Sequence, residues 1–291
     1  MYYYSAFTLT FQSDFPLPSY TQLDTLPAAA DVVIKRVQAP LDSSPAFHYQ
    51  FEETLHLWAH EGKEIFYYTE ETWEVRFIRM YILDYALIGL FYQRGWFPLH
   101  GGSVVMPDGK VMIITGPSGT GKSTTVTQFA AAGYPLLGDD IAVITFVEDK
   151  MMVLPAYPEI SVYEHVYDQY KKFFTVTSES RRWSMPSKVD FRPQGVFQSV
   201  PAELSTIVFL DQESVENPTL QPISGSLAMQ RLREQSLNYL SSVERFGLLN
   251  SLFKQTALIC NKVEIKNLFI RRNNVIFSIN NFLLNSLALQ L

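Results

Sequence analysis

The sequence predicts an α/β protein, a P-loop catalytic domain behind a small β-rich N-terminal domain. Three observations predict it. Residues 116–124 read Gly116-Pro117-Ser118-Gly119-Thr120-Gly121-Lys122-Ser123-Thr124, a complete G-x-x-x-x-G-K-[ST] phrase. An apolar run, Val111-Met112-Ile113-Ile114, leads straight into it and a helical pattern follows, which is the strand–loop–helix setting the phrase requires. The first 70 residues instead alternate at the strand period.

Composition sets the class. The chain has 291 residues, 47% hydrophobic and 18% charged, which is globular and sufficient for a substantial core. A net charge of −6 speaks against a general nucleic-acid binder, which carries a basic surface. Cys260 is the single cysteine, so neither an intramolecular disulfide nor a cysteine metal cage can form. No basic segment followed by an apolar run opens the chain, and the longest apolar stretch, 80–97, is broken by Asp84 and Arg94. A cytoplasmic protein without a membrane or nucleic-acid partner is expected.

The elements follow in order. Phe7, Leu9 and Phe11 fall on one strand face with Thr8 and Thr10 on the other, and the prolines of 14–18 break the pattern. A short strand is expected at 31–37, then a meander at 48–51, 54–60 and 64–69 with Glu61-Gly62 as its last turn. Residues 71–93 change period: Val75, Ile78, Ile82, Tyr85 and Gly89, with Leu83, Leu87 and Leu90 beside them, fit a helix with Thr72 as N-cap. It is apolar nearly all round, which predicts burial between two parts of the chain. The expected domains are 1–95 and 96–291. The second opens with strands 103–106 and 110–115 around Pro107-Asp108-Gly109. The glycine loop, a helix at 123–132 and a strand at 135–138 ending on Asp139-Asp140 complete a βαβ unit. A hairpin at 141–147 and 151–154, a buried strand at 205–210, helix at 224–253, a strand at 274–279 and a last helix complete the reading.

The glycine loop has a defined chemistry. Glycines permit φ > 0 and turn backbone N–H groups inward, while the following helix aims its positive end at the same point. Lys122 reaches β- and γ-phosphates and the Ser123 hydroxyl takes Mg²⁺. Asp139 and Asp140, one βα step on, sit where ligands of such sheets sit. Acids there can hold the metal and accept a proton from an attacking hydroxyl. Adjacent strand residues face opposite ways, so one acid should face the phosphates and the other the acceptor or a supporting partner. These features imply ATP and Mg²⁺ as cofactors.

His100-Gly101-Gly102, the hairpin, the glycine loop, Gly133-Tyr134 and Gly138-Asp139-Asp140 together resemble the catalytic domain of HPr kinase/phosphorylase and its relatives. The resemblance covers about 45 residues strongly, from 100 to 144, and extends weakly to about 270. It implies an HPr-kinase-like (PEP carboxykinase-like) fold and transfer of a phosphoryl group to a serine of a peptide or small protein. Two further phrases, Ser13-Asp14-Phe15-Pro16-Leu17-Pro18 and Arg94-Gly95-Trp96-Phe97-Pro98-Leu99-His100, look like a subgroup associated with lasso peptide biosynthesis, whose members phosphorylate a precursor peptide. The resemblance implies Asp140 as the base, Asp139 as the metal's acid and His100 beside the site. HPr kinases are hexamers, so a homo-oligomer is among the implied assemblies. The family has an acid directly after its GKS where this chain has Thr124, so phosphorylase activity is not implied.

Residues 171–192 are locally basic, and a loop over the phosphates would use such charge. Lys188 and Arg182 are the candidate phosphate or substrate contacts there; a solvated face is the plain alternative. The other histidines, His48, His56, His60 and His165, lack metal-ligand spacing. Three other functions stay open: a P-loop NTPase of another kind, a small-molecule kinase, and a nucleotide-binding module without transfer. Ile223-Ser224-Gly225-Ser226 is only a fragment of an ABC signature. Asn261-Lys262-Val263-Glu264 resembles the guanine-reading Asn-Lys-x-Asp, with Glu264 in place of the aspartate.

Overall fold

The structure is a computed structural model and describes residues 1–41, 47–70, 73–181, 185–213, 217–237, 246–271 and 279–288. The chain divides into two compact units, 1–98 with 237–255, and 99–236 with 256–291. The sequence assigned 237–255 to the second unit. Tertiary contacts place it in the first, where Phe246 lies against Phe47 with ring centroids 4.1 Å apart and the Gln255 amide donates to Gly95 O at 2.7 Å. No local pattern encodes such a return.

The first unit is built on a seven-stranded sheet. Its strands are β1 (Tyr2–Ala6), β2 (Leu9–Ser13), β3 (Thr21–Gln22), β4 (Val32–Arg36), β5 (Phe47–Phe51), β6 (Leu55–His60) and β7 (Glu64–Thr69), in the order β3-β1-β2-β4-β7-β6-β5. β5, β6 and β7 form an antiparallel meander, and β4 joins β2 and β7 in parallel. The expectation of one continuous strand through Phe7, Leu9 and Phe11 is corrected. Phe7 and Thr8 form the tight turn between β1 and β2, both with positive φ, 54° and 61°. Turns of that hand match the strand twist and are usually built from Gly or Asn. Here burial holds the turn: Phe7 is fully buried, edge-on to Phe91 at 4.8 Å and to Tyr20 at 6.3 Å.

Residues 75–93 are helical throughout: α1 (Val75–Tyr81), a π-helical turn (Ile82–Ala86) and α2 (Leu87–Gln93). The helix belongs to the first unit and packs on β5, β6 and β7 of its sheet. Its expected N-cap, Thr72, lies outside the described residues.

The second unit carries β8 (Phe97–Val105, its first two residues in the first unit), β9 (Val111–Thr115), α3 (Lys122–Ala131), β10 (Leu136–Gly138), β11 (Ile141–Val147), β12 (Lys150–Leu154), β13 (Ile160–Tyr163), α4 (Glu164–Tyr170), β14 (Val176–Arg181), β15 (Lys188–Pro193), β16 (Ala202–Glu213), β17 (Thr219–Pro222), α5 (Gly225–Gln235), β18 (Glu264–Arg271) and α7 (Ile279–Ala288). Helix α6 (Leu249–Lys262) passes from one unit into the other. The main sheet places β9 between β8, antiparallel to it, and β16, parallel to it. β18 then pairs parallel with β16, and β10 antiparallel with β8. The expected βαβ unit therefore has an antiparallel strand, β8, between its two parallel members. The core under α3 is Met112 and Ile114 of β9, Val208 and Leu210 of β16, Leu268 of β18, and Val126 and Phe129 of α3.

Three further expectations change. The single helix over 224–253 is two, α5 and α6; residues 238–245 lie outside the described residues. The strand expected at 274–279 falls almost wholly outside them, and Ile279 begins α7. The basic run at 171–192 is not an open loop: β15 pairs with β13 on one side and β14 on the other in a three-stranded sheet. Among the described residues no helix is long and apolar enough to cross a membrane.

The pair Gly101-Gly102 locks β8 against its neighbours. A Cβ on Gly101 would stand 2.5 Å from Ile114 O, and one on Gly102 2.4 Å from Val126 Cγ2 and 2.9 Å from Asp139 O. These separations are far inside contact distance, so either β8 or α3 would have to move. Gly102→Ala is therefore expected to lower the unfolding free energy by about 2 kcal/mol, the scale of overpacking a tight core. Urea denaturation measures it, and an unchanged midpoint would show that the strand–helix contact is loose.

Candidate active site

β9 delivers the chain into the glycine loop at its C-terminal end. Gly116, Gly119 and Gly121 adopt φ of 142°, 82° and 99°, and Gly121 immediately precedes α3. A Cβ on Gly116 would come within 2.5 Å of Leu210 O on β16, so no side chain fits where the loop leaves the sheet. Lys122 Nζ folds back onto the loop, donating to Gly116 O at 2.9 Å and Pro117 O at 3.0 Å. Thr120 Oγ1 donates to Pro117 O at 2.8 Å. From the tip of β16, the Gln212 amide donates to Gly119 O at 3.2 Å. Asp211 beside it is anchored by Arg231 at 2.8 Å and by the Asn267 amide at 2.6 Å.

The two acids lie where β10 has ended, so strand alternation no longer governs them. The bend between β10 and β11 turns Asp140 into the cleft and leaves Asp139 beneath it, 4% exposed. Asp139 Oδ2 accepts a hydrogen bond from Ser161 N–H at 2.9 Å, and its Oδ1 is buried with no partner of hydrogen-bond geometry. His100 Nε2 stands 3.8 Å from Asp140 Oδ1.

One cleft of about 230 Å³ gathers most of the predicted residues: His100, Ser118, Gly119, Thr120, Gly121, Lys122, Ser123, Thr124, Asp140 and Lys188. Gly116 and Pro117 contribute the carbonyls that hold Lys122. Arg182 lies outside the described residues. Of the other cations in the basic run, Arg181 pairs with Glu164, and Lys171 pairs with Asp168 at 2.7 Å, both at exposed positions. The guanine-motif reading fails on position. Glu264 begins β18, and β18 runs parallel to β9, so that segment sits at the sheet edge away from the glycine loop.

Sequence reasoning missed Ser161, Tyr163, His165, Gln212, Ile270 and Ile279, which line the same cleft. Tyr163 stacks on His165 with centroids 5.9 Å apart, and Lys188 Nζ, its cross-strand neighbour, lies 5.6 Å from the tyrosine ring. Ser161 Oγ is buried and without a hydrogen-bond partner. Ser161, Tyr163 and His165 arrive through the β13–β15 pairing, Gln212 on β16, and Ile270 and Ile279 on β18 and α7, none of which carries a local signature.

Burial dominates the electrostatics. It pushes the Asp139 carboxyl up to about 7, assisted by the charge of Asp140 and opposed by the Ser161 N–H, the nearby Ser123 hydroxyl and Lys188. Burial likewise draws the Lys122 ammonium down to about 8, with Asp140 and Asp139 opposing and Lys188 adding to the fall. His100 is lowered by burial, then by Lys122 and Lys188, against Asp140, so it is mostly neutral at pH 7. Each group would regain its charged form if a compensating charge entered the cleft.

Among the described residues no group of three or more His, Cys, Asp and Glu side chains could hold a metal. The donors present fit Mg²⁺, which takes one or two protein oxygens, keeps waters and completes its shell with phosphate oxygens. Ser123 and the unpartnered Oδ1 of Asp139 would supply those oxygens.

No protein-family model matches the chain, and no curated protein matches it. Among solved structures it is similar to the HPr(Ser) kinase/phosphatase from Coxiella burnetii, at 12% identity over 66% of this chain and 97% of that one, with a TM-score of 0.36. The likeness is distant.

The Asp139 shift has a definite sign. Its folded-state value lies above the unfolded value of 3.8, so protonation favours the folded state, and stability is lost as pH rises from there to about 7. Asp139→Asn lacks this loss. Without nucleotide or Mg²⁺, the stability of the variant relative to the parent is expected to rise between pH 4 and pH 8 by up to about 4 kcal/mol. Urea denaturation at both pH values checks it; a pH-independent difference would contradict the raised carboxyl.

Proposed function

We propose that the chain is an ATP-dependent phosphotransferase that moves the γ-phosphoryl group to a serine hydroxyl of a peptide or small protein. The observation that carries the reading is the single cleft shared by the anion cradle at Lys122 and Ser123 and by Asp140 with His100. A cradle alone serves any nucleotide switch. An acid with a histidine beside it, at the reacting end of the phosphates, serves proton removal from an acceptor.

In this reading Lys122 exchanges its two carbonyl partners for β- and γ-phosphate oxygens. The loop N–H groups and the N-terminus of α3 stabilise the same oxygens. Mg²⁺, bound through Ser123 and Asp139, would neutralise charge on the β- and γ-phosphates. Asp140 accepts the serine proton as the serine oxygen bonds to the γ-phosphorus. The bond from that phosphorus to the β–γ bridging oxygen breaks, and ADP leaves with that electron pair. Neutral His100 orients Asp140, and Lys188 faces the transferring group from β15.

The finer assignment of the acceptor to lasso peptide precursors rests on the phrases at Ser13–Pro18 and Arg94–His100 and their resemblance to that subgroup. The exposed flank of the cleft at Tyr163, 42% exposed, suits a chain-like acceptor better than an enclosed small molecule.

The test is transfer of labelled phosphate from ATP with Mg²⁺ to candidate precursor peptides, read as a mass gain of one phosphoryl group on a serine. Lys122→Ala and Asp140→Asn are each expected to lower kcat/KM by about 10²-fold or more while leaving the fold intact by circular dichroism. Near-normal transfer by Asp140→Asn would move the base elsewhere. ATP binding without transfer to any peptide or protein would instead favour a nucleotide-binding module.

A further inference from the structure

We infer that the cleft is divided end to end between the two reactants, with the nucleobase of ATP seated on Ile270 and Ile279, away from the acids. The inference rests on the phosphotransferase reading of the same cleft. The glycine loop touches only phosphates, so the base must be held by other residues, and the strand order together with the cleft lining narrows the choice.

β9 has β8 and then β10 on one side, and β16 and then β18 on the other. β16 and β18 run parallel to β9; β10 does too, because both it and β9 are antiparallel to β8. The C-terminal ends of β10, β16 and β18 therefore reach the same edge as the glycine loop. With neighbouring strands about 5 Å apart, the tips of β10 and β18 lie about 10 Å to either side of β9. The tip of β10 carries Asp139 and Asp140, with His100 beside them. The γ-phosphate must point there to react, so the rest of the nucleotide runs the other way, over Thr124 and the N-terminus of α3.

The cleft changes chemistry along that line. At the acid end its lining is mostly charged or polar, with His100, Asp140, Lys188 and His165 and, on β13 beside Ser161, the apolar Val162. At the far end it is Ile270, near the tip of β18, and Ile279, the first residue of α7, 7% and 5% exposed. α7 is fixed to α3 there: Asn280 N–H donates to Gln128 Oε1 and the Asn280 amide to Gln128 O, both at 3.3 Å. A flat uncharged ring gains from apolar contact and gains nothing beside carboxylates, whereas a triphosphate and an acceptor hydroxyl need the charged end.

Photolabelling of the full chain with 8-azido-ATP and Mg²⁺, followed by peptide mapping, tests the seat without altering the protein. Label within residues 263–288, displaced by ATP, is the expected result. Label on the segment bearing Tyr163 and His165 overturns it. Calorimetry gives the second arm. Ile279→Ala is expected to weaken ATP about tenfold while tripolyphosphate affinity stays within about twofold, which also certifies the fold. Unchanged ATP affinity, parallel loss of both ligands, or a selective loss of ATP in Tyr163→Ala overturns the assignment. A parent chain that binds neither ATP nor tripolyphosphate overturns the phosphotransferase reading itself, and the two failures are thereby told apart.

Discussion

A carboxyl group sealed beneath the cleft, at the tip of β10, governs its electrostatics. Asp139 has one oxygen tied to the Ser161 N–H and the other without a partner, and burial raises it to about 7. A solitary buried carboxylate is costly, and proteins keep one where a cation or a proton is part of the function. Lys122 is strained in the opposite sense, its ammonium drawn down to about 8 and parked on two loop carbonyls. Neither group neutralises the other well enough to restore its ordinary value. A ligand carrying both a divalent cation and a polyanion would satisfy both, and each component would strengthen the binding of the other.

That arrangement depends on close backbone packing. Gly101 and Gly102 bring β8 against β9 and α3, and the same closeness sets Asp139 O below 3 Å from where a Gly102 Cβ would be. Gly116 lets the loop leave the sheet against Leu210. The acids, the loop and the helix N-terminus are thus indexed to each other through main-chain contacts rather than through long side chains. Such contacts resist displacement by fractions of an ångström, the precision phosphoryl transfer requires of its positioning groups. The polar anchor at Asp211, Arg231 and Asn267 extends the same logic to the tip of β16, from which Gln212 braces Gly119.

What the sequence made legible was local. The glycine loop is encoded by eight neighbouring residues with one backbone solution, and the apolar strand before it is equally local. Asp139 and Asp140 were visible because a strand end one βα step from such a loop has few places to go. The turn at Phe7-Thr8 was misread because a buried phenylalanine in a left-handed turn has the same alternation as a strand; only its packing on Phe91 and Tyr20 distinguishes them. Ser161, Tyr163 and His165 were illegible for a different reason. Their role follows from β13 pairing with β15 twenty-eight residues away (Ile160 with Phe191 is 31 apart, Tyr163 with Lys188 is 25) and from β13 packing on α3. The sequence contains the strands but not the surface on which they dock.

The resting geometry of Lys122 bears on how the site is entered. With Nζ on Gly116 O and Pro117 O, the loop is already curled around a positive group, so its N–H donors are arranged before any phosphate arrives. An incoming phosphate oxygen would replace two neutral acceptors with an ionised one, so that a bond charged at one end becomes an ion pair charged at both. A loop that keeps this curl on binding would leave most of that gain to binding and, in the proposed reading, to the developing charge of the transfer step. The brace from Gln212 to Gly119 holds the loop from the side opposite the acids. The triphosphate would thus be gripped between a fixed sheet edge and a fixed helix end. In the proposed reading, what remains free to differ between substrates is the rim, where Tyr163 and His165 are exposed and would meet an acceptor rather than the nucleotide.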